Sequence, residues 1–130
     1  MIHVLDSSAL LAVSKGETGA DYVMDLMETA DCVISSVNIA EVATKMLEFG
    51  LPPHELKRSV GQFTVDVIDF NHEQALKCAE LRSLTKDAGL SLGDRACLGL
   101  AKLMDGVAVT SDRPWMDVAE AVGVKVLMIR

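Results

Sequence analysis

Short apolar segments alternate with helical patterns along the whole chain, and this alternation restricts the possible folds more than any other feature. The apolar segments that we predict as strands are residues 2–5, 32–35, 64–70, 107–110 and 125–129. Short, continuously apolar strands are typical of a parallel sheet that helices cover on both faces. The strands of such a sheet end at one common edge, and ligands bind beyond it, near the point where the strand order reverses.

Helical patterns fill the segments between these strands. We predict helices at residues 7–13, 20–28, 38–49, 55–62, 72–86, 91–104 and 115–122. Glycines that interrupt a helical pattern mark several boundaries, as at Gly16, Gly50 and Gly89. The chain has no repeat or linker, so we expect its 130 residues to form one α/β domain with a sizeable core.

Four acidic residues occupy matching places in this pattern. Asp6 and Asp112 follow apolar strands, whereas Glu41 and Asp94 fall in the first turn of predicted helices. If the strands are parallel, all four can converge at one edge of the sheet. Carboxylates that lie so close repel each other unless a cation joins them. The pattern therefore indicates a divalent metal site and, with it, phosphoryl chemistry.

Each of these acids also has an explanation without a metal, because Asp and Glu often cap or begin helices. Glu41 lies three residues after Asn38, and Asp94 lies three residues after Ser91, which is the spacing of a capping box. Capping explains each acid taken singly. It does not explain why the acids share one predicted edge of the sheet.

Charge and cysteine usage restrict the class of protein further. The net charge of −7 argues against a protein held to nucleic acid by bulk charge, but it is compatible with a nuclease that binds cations. No apolar run approaches the roughly 20 residues of a membrane span, and we see no export signal. Three widely spaced cysteines in apolar surroundings favour reduced thiols, so we expect a cytoplasmic protein.

Four segments resemble the motifs of PIN-domain ribonucleases. The opening MIHVLDSSAL at residues 1–10 resembles their first motif, and residues 38–42, NIAEV, resemble the second. Residues 91–98, SLGDRACL, and 110–115, TSDRPW, resemble the third and fourth. The order, the spacing and the total length are similar to those of VapC-type toxins from prokaryotic toxin–antitoxin pairs.

This resemblance implies a three-layer α/β/α sandwich with a five-stranded, mainly parallel sheet. It also implies an endoribonuclease that depends on Mg²⁺ or Mn²⁺, forms a homodimer and is blocked by a cognate VapB-like antitoxin. By position, Asp6 and Asp94 are expected to be the principal metal ligands. Glu41 is expected to bind or orient metal and water, and Asp112 to complete the acidic group.

Several further residues have more than one interpretation. Ser7 or Ser111 is a candidate hydrogen-bond partner at the site. The candidates for contact with RNA phosphates are the basic residues Lys15, Arg95 and Arg113, although rim salt bridges explain the two arginines equally well. Asp117 is either an auxiliary acid or, more simply, part of a solvated helix face, and Trp115 is expected in the core. The histidines form no ligand cluster.

The helices predicted at 20–28 and 38–49 are apolar around much of their circumference, through Tyr22, Val23, Met24, Leu26, Met27, Ile39, Val42, Met46, Leu47 and Phe49. One face of each helix can pack on the sheet, and the remainder predicts a partner surface. We expect a homodimer here, with an antitoxin helix in an adjacent groove. The alternatives are a non-toxin PIN-type nuclease of RNA processing and a non-catalytic protein-binding module.

Overall fold

A computed structural model describes all 130 residues and contains one five-stranded sheet of order β3-β2-β1-β4-β5. Every neighbouring pair of strands is parallel. The strand order therefore reverses at β1, whose neighbours are β2 and β4. The strands are β1 Ile2–Leu5, β2 Asp31–Ser35, β3 Asp66–Ile68, β4 Val107–Thr110 and β5 Lys125–Met128.

Eight helices connect and cover these strands. They are α1 Ser7–Lys15, α2 Ala20–Thr29, α3 Ser36–Glu48, α4 Leu56–Val60, α5 His72–Glu80, α6 Arg82–Thr85, α7 Leu92–Met104 and α8 Pro114–Val122, and a 3-10 turn at Pro53–Glu55 precedes α4. None of these helices has the length and apolar character needed to cross a membrane.

Two apolar cores lie on opposite faces of the sheet, which makes the fold the expected α/β/α sandwich. Successive strand side chains point to opposite faces. Val4 and Ala108 accordingly pack with α7, α8 and the buried Trp115. Leu5 and Val109 pack with α1, α2 and α3 on the other face. Trp115 is therefore a core residue, as predicted.

Strands β1 and β4 match their predicted bounds, whereas most other elements differ by one or two residues at an end. Helix α3 begins at Ser36 rather than Asn38, because the Ser35 hydroxyl accepts a hydrogen bond from the Val37 N–H and caps the helix earlier. This start moves Glu41 from the predicted first turn to the second. The capping-box interpretation of Glu41 is therefore wrong.

The predicted strand at 64–70 and the predicted helix at 72–86 are both too long. Strand β3 pairs only with β2, and their register ends where Ser35 pairs with Ile68 and β2 gives way to α3. The helix ends at Glu80 and is followed by the short α6. There the Leu84 N–H donates to the Leu81 carbonyl three residues earlier, which tightens the turn.

The cysteines have the predicted state, since Cys32, Cys78 and Cys97 are all buried and free. Burial raises the pKa of each thiol. The carboxylates of Asp6, Asp94 and Glu41 raise the pKa of Cys97 further. Cys97 thus lies beneath an acidic group at the carboxyl edge of the sheet and stays in its neutral form.

Candidate metal centre

Asp6 lies at the carboxyl end of β1, where the strand order reverses, and only 1% of it is exposed. Its Oδ2 atom accepts hydrogen bonds from the hydroxyls of Ser8, at 2.8 Å, and Thr110, at 3.0 Å. Its Oδ1 atom is buried and has no partner. The side chain forms no cap bond to α1, so helix capping does not explain this acid.

Three carboxylates converge at this edge of the sheet. One oxygen from each of Asp6, Asp94 and Asp112 lies within 4.8 Å of the others. Asp6 comes from the end of β1, Asp112 from the loop after β4, and Asp94 from the first turn of α7. The parallel sheet and the helix that covers it therefore bring together residues that are far apart in the sequence.

Asp94 also completes a capping box with Ser91. Its Oδ2 atom accepts the Ser91 N–H at 2.9 Å, and the Ser91 hydroxyl accepts the Asp94 N–H at 3.2 Å. The capping interpretation is thus correct for this acid, and it does not compete with the metal interpretation. The capping bond fixes the carboxylate while the group still contributes an oxygen to the acidic cluster.

Asp112 is held through its backbone, because its N–H donates to the Thr110 hydroxyl at 3.1 Å. It makes no side-chain cap to α8. Burial raises the pKa of Asp112, the Asp94 and Glu41 carboxylates add to that rise, and the Arg130 guanidinium opposes it. Asp112 is therefore electrostatically coupled to Asp94 and Glu41.

Glu41 lies in the second turn of α3, outside the group of three. Its Oε1 atom accepts a hydrogen bond from the buried Asn38 amide at 2.9 Å. Its carboxylate rests against the backbone of Gly93, the residue before Asp94. The four predicted acids thus lie at one edge: three have oxygens within 4.8 Å of one another, and Glu41 is close enough for its charge to raise the pKa of Asp112.

The pKa of Asp6 is raised from its ordinary value of 3.8 to about 7. Burial is the main cause, and the charges of Asp94 and Asp112 add to it, whereas the Ser8 and Thr110 hydroxyls act in the opposite direction. A site of three carboxylates with an unpartnered buried oxygen suits a hard divalent cation, which prefers oxygen ligands and supplies the missing positive charge.

The partners of Asp6 were not identified from the sequence. Ser7 was a candidate, but Ser8 donates to Asp6, and its Oγ also accepts the Ser111 N–H at 3.0 Å. Thr110 links the same carboxylate to β4. The sequence does contain a serine two residues after Asp6 and a threonine two residues before Asp112. Their role at the site depends on contacts between residues more than a hundred positions apart.

Two of the basic residues named as candidates for contact with RNA phosphates make contacts within the protein. Lys15 lies at the far end of α1, where it pairs with Glu17 and stacks 4.8 Å from the centre of the Phe49 ring. Arg95 donates to the Cys78 carbonyl at 3.0 Å and so turns toward α5. Neither residue contacts one of the four acids in these interactions.

Arg130 is the basic residue whose charge reaches Asp112. Its guanidinium lies 3.5 Å from the Ser111 hydroxyl and donates to the Thr18 carbonyl. Arg113 is exposed and makes no ion pair, and Asp117 is exposed on α8, in agreement with a solvated helix face. The end of β5 lies at the predicted common edge of the strands, but the sequence alone does not show that β5 lies beside β4.

The family model of the PIN domain matches residues 3–121. The chain therefore belongs to the PIN domain family. No curated protein gives a significant sequence match.

Solved structures of similar fold include toxin–antitoxin complexes. VapBC2 from Rickettsia felis, bound to a promoter DNA fragment, is 17% identical, with 98% of each chain covered and a TM-score of 0.76. DNA-bound VapBC from Salmonella typhimurium is 18% identical over 100% of this chain and 99% of that chain, with a TM-score of 0.75. VapC20 from Mycobacterium tuberculosis, a toxin that cleaves the sarcin–ricin loop, is 13% identical over 92% and 94%, with a TM-score of 0.69. These likenesses establish the fold.

The raised pKa of Asp6 predicts how the stability of the metal-free protein varies with pH. The folded state keeps a proton that the unfolded state releases, so this stabilisation is present below about pH 4 and is lost as the pH rises through about 7. A pKa difference of about three between the folded and unfolded states corresponds to roughly 4 kcal/mol of folding free energy. We expect Asp6→Asn to be more stable than the parent near pH 8 in EDTA, with the difference shrinking toward pH 4. Urea denaturation across this range measures it, and parallel pH profiles would contradict it.

Proposed function

We propose that this protein is a metal-dependent endoribonuclease that hydrolyses RNA phosphodiester bonds and is the toxin of a toxin–antitoxin pair. The observation that carries the proposal is the unpartnered, buried Oδ1 of Asp6 within a group of three carboxylates at the reversal point of the sheet. Family membership and the fold likeness to VapBC structures support the nuclease and toxin parts of the proposal.

Asp6 and Asp94 are the proposed principal ligands of Mg²⁺ or Mn²⁺, and Asp112 and Glu41 complete the acidic group. A divalent ion held by these residues would polarise a phosphodiester oxygen and would lower the pKa of a bound water. The chain's own residues prepare the site: Ser8 and Thr110 hold one oxygen of Asp6 and leave the other, buried oxygen without a partner. The attacking water would form a bond to phosphorus and lose its proton to Asp112, directly or through solvent, while the P–O3′ bond breaks and the leaving 3′ oxygen takes a proton from solvent.

The proposed partner is a VapB-like antitoxin, and the surface beside α2 and α3 fits such a partner. A groove of about 790 Å³ lies between α1, α2, α3 and the segment after α4. Its apolar lining is Val13, Met24, Met27, Met46, Phe49, Leu51 and Phe63. A helix with apolar side chains on one face suits such a groove.

Some of the apolar residues predicted on these helices are buried in the protein itself, including Val23 and Val42. Others stay exposed: Tyr22 at 47%, Leu47 at 38% and Phe49 at 60%. We propose that this remaining apolar surface supports a homodimer as well as antitoxin binding. Light scattering at micromolar concentration is expected to give twice the 14.0 kDa chain mass. A monomer mass would contradict the dimer.

Removal of a ligand charge tests the nuclease. Asp6→Asn and Asp94→Asn are each expected to lower RNA cleavage in Mg²⁺ by several orders of magnitude while circular dichroism stays unchanged. Asp25→Asn is the matched control. Asp25 is an exposed acid near the end of α2, where the chain enters the start of β2, and the acidic group lies at the other edge, where the strands end. If Asp6→Asn cleaves RNA as fast as Asp25→Asn, the proposal is wrong.

Metal dependence of RNA binding tests how an acidic protein holds an acidic substrate. The acidic cluster repels RNA in EDTA, and bound cations reverse the local charge. We expect a non-cleavable RNA to bind much more tightly in Mn²⁺, with a shallow salt dependence because few basic side chains neutralise phosphates. Fluorescence anisotropy measures both. Equal affinity in EDTA and Mn²⁺ would remove the metal from substrate binding.

A further inference from the structure

Glu41 is the one of the four predicted acids that lies outside the group of three. Two residues that are not acidic contact its carboxylate. Asn38 is fully buried in α3. Its Nδ2 atom donates to Glu41 Oε1 at 2.9 Å and to the Gly93 carbonyl at 3.0 Å. Both partners are acceptors, so only the NH₂ side of an amide, with its two hydrogens, can satisfy them together.

Gly93 provides the space for the carboxylate. A Cβ atom added to Gly93 would lie 2.5 Å from both carboxylate oxygens of Glu41. The carboxylate therefore rests directly on the glycine backbone, and any other residue at this position would displace it. Because Gly93 precedes Asp94, the same contact sets the distance between the second and third acids of the site.

We propose that Asn38 and Gly93 are positioning residues that fix the Glu41 carboxylate beside Asp94 and join α3 to the start of α7. Asn38 does so by donating to both elements, and Gly93 by leaving the carboxylate room. The catalytic consequence rests on the proposed function. A free Glu side chain samples many rotamers, and this clamp selects the one whose carboxylate contacts Asn38 and Gly93.

The variant Asn38→Asp tests the hydrogen-bonding half of the clamp. It keeps the shape of the side chain but replaces the two donated hydrogens with a second carboxylate against Glu41. The matched control is Gln74→Glu in α5, since Gln74 is also a buried amide that donates to a backbone carbonyl, that of Asp69, at 2.9 Å. Both variants introduce a buried acid, and only one of them touches the site.

We expect Asn38→Asp to bind Mn²⁺ about 10- to 100-fold more weakly than Gln74→Glu, as is typical when the partner of a metal ligand is lost. Titration calorimetry on the folded proteins gives the affinity without RNA. In RNA cleavage, kcat is expected to fall with little change in KM, because Glu41 acts on the reacting centre rather than on the flanking strand. Equal Mn²⁺ affinity in the two variants would overturn the positioning role.

The steric half is tested by melting temperature, which needs neither metal nor RNA. Gly93→Ala is expected to lower the melting temperature of the parent but to have little effect in a Glu41→Ala background, where no carboxylate occupies the space. Gly99→Ala in the same helix is the control, because its added Cβ would meet nothing closer than Lys77 Cγ at 3.5 Å. Additive effects of Gly93→Ala and Glu41→Ala would overturn the contact.

The two sets of measurements separate this inference from the proposed function. If the parent binds no Mn²⁺ and cleaves no RNA, the nuclease proposal fails, and the melting cycle still decides whether Gly93 accommodates Glu41. If the parent and Gln74→Glu bind Mn²⁺ and Asn38→Asp binds it equally well, the clamp fails and the nuclease proposal stands.

Discussion

Asp6 is a carboxylate buried where β1 meets β4, and the acidic group is arranged around it. Burial of an ionised carboxylate is costly unless hydrogen bonds and opposite charge compensate for it. Ser8 and Thr110 satisfy one oxygen of Asp6, but the other has no partner. Asp94 and Asp112 add repulsion instead of relief. The fold therefore keeps an unfavourable interaction at the edge where α/β sheets bind their ligands, which is typical of a site shaped for a bound cation.

Most of the architecture could be predicted because local pattern and tertiary structure agree. The strands at 2–5 and 107–110 are buried on both faces, so their apolar runs mark them to the residue. The errors lie where two local signals compete. Ser35 and Asn38 are both good helix caps, and the sequence alone does not show which one the chain uses. Similarly, the length of edge strand β3 depends on where its neighbour β2 ends.

The acids could be predicted, whereas the residues that hold them could not. An acid at the end of an apolar strand is visible in the sequence, but the hydroxyls on Asp6 come from Ser8 and, 104 positions away, from Thr110. Arg130 reaches Asp112 only because β5 lies beside β4. Asp94 shows that a capping residue can also belong to the acidic group. The cap holds the carboxylate in one orientation, and a group held so needs no reordering when an ion binds.

The same electrostatic repulsion would relate activation by a metal ion to inhibition by a protein partner. Any positive charge that reaches the three carboxylates relieves both the burial of Asp6 and the repulsion among the group. A divalent ion does this and leaves coordination positions for substrate and water. An Arg or Lys side chain from a protein partner would do it as well, but it would occupy the space that the scissile phosphate of the proposed RNA substrate would need. A metal and such a partner would therefore compete for the same stabilisation, and an acidic site with no internal cation is suited to control by either one. Arg130, whose charge opposes the rise in the pKa of Asp112, is held by the Thr18 carbonyl and by Ser111 rather than within the cluster. The chain therefore offsets the negative charge of the group only in part.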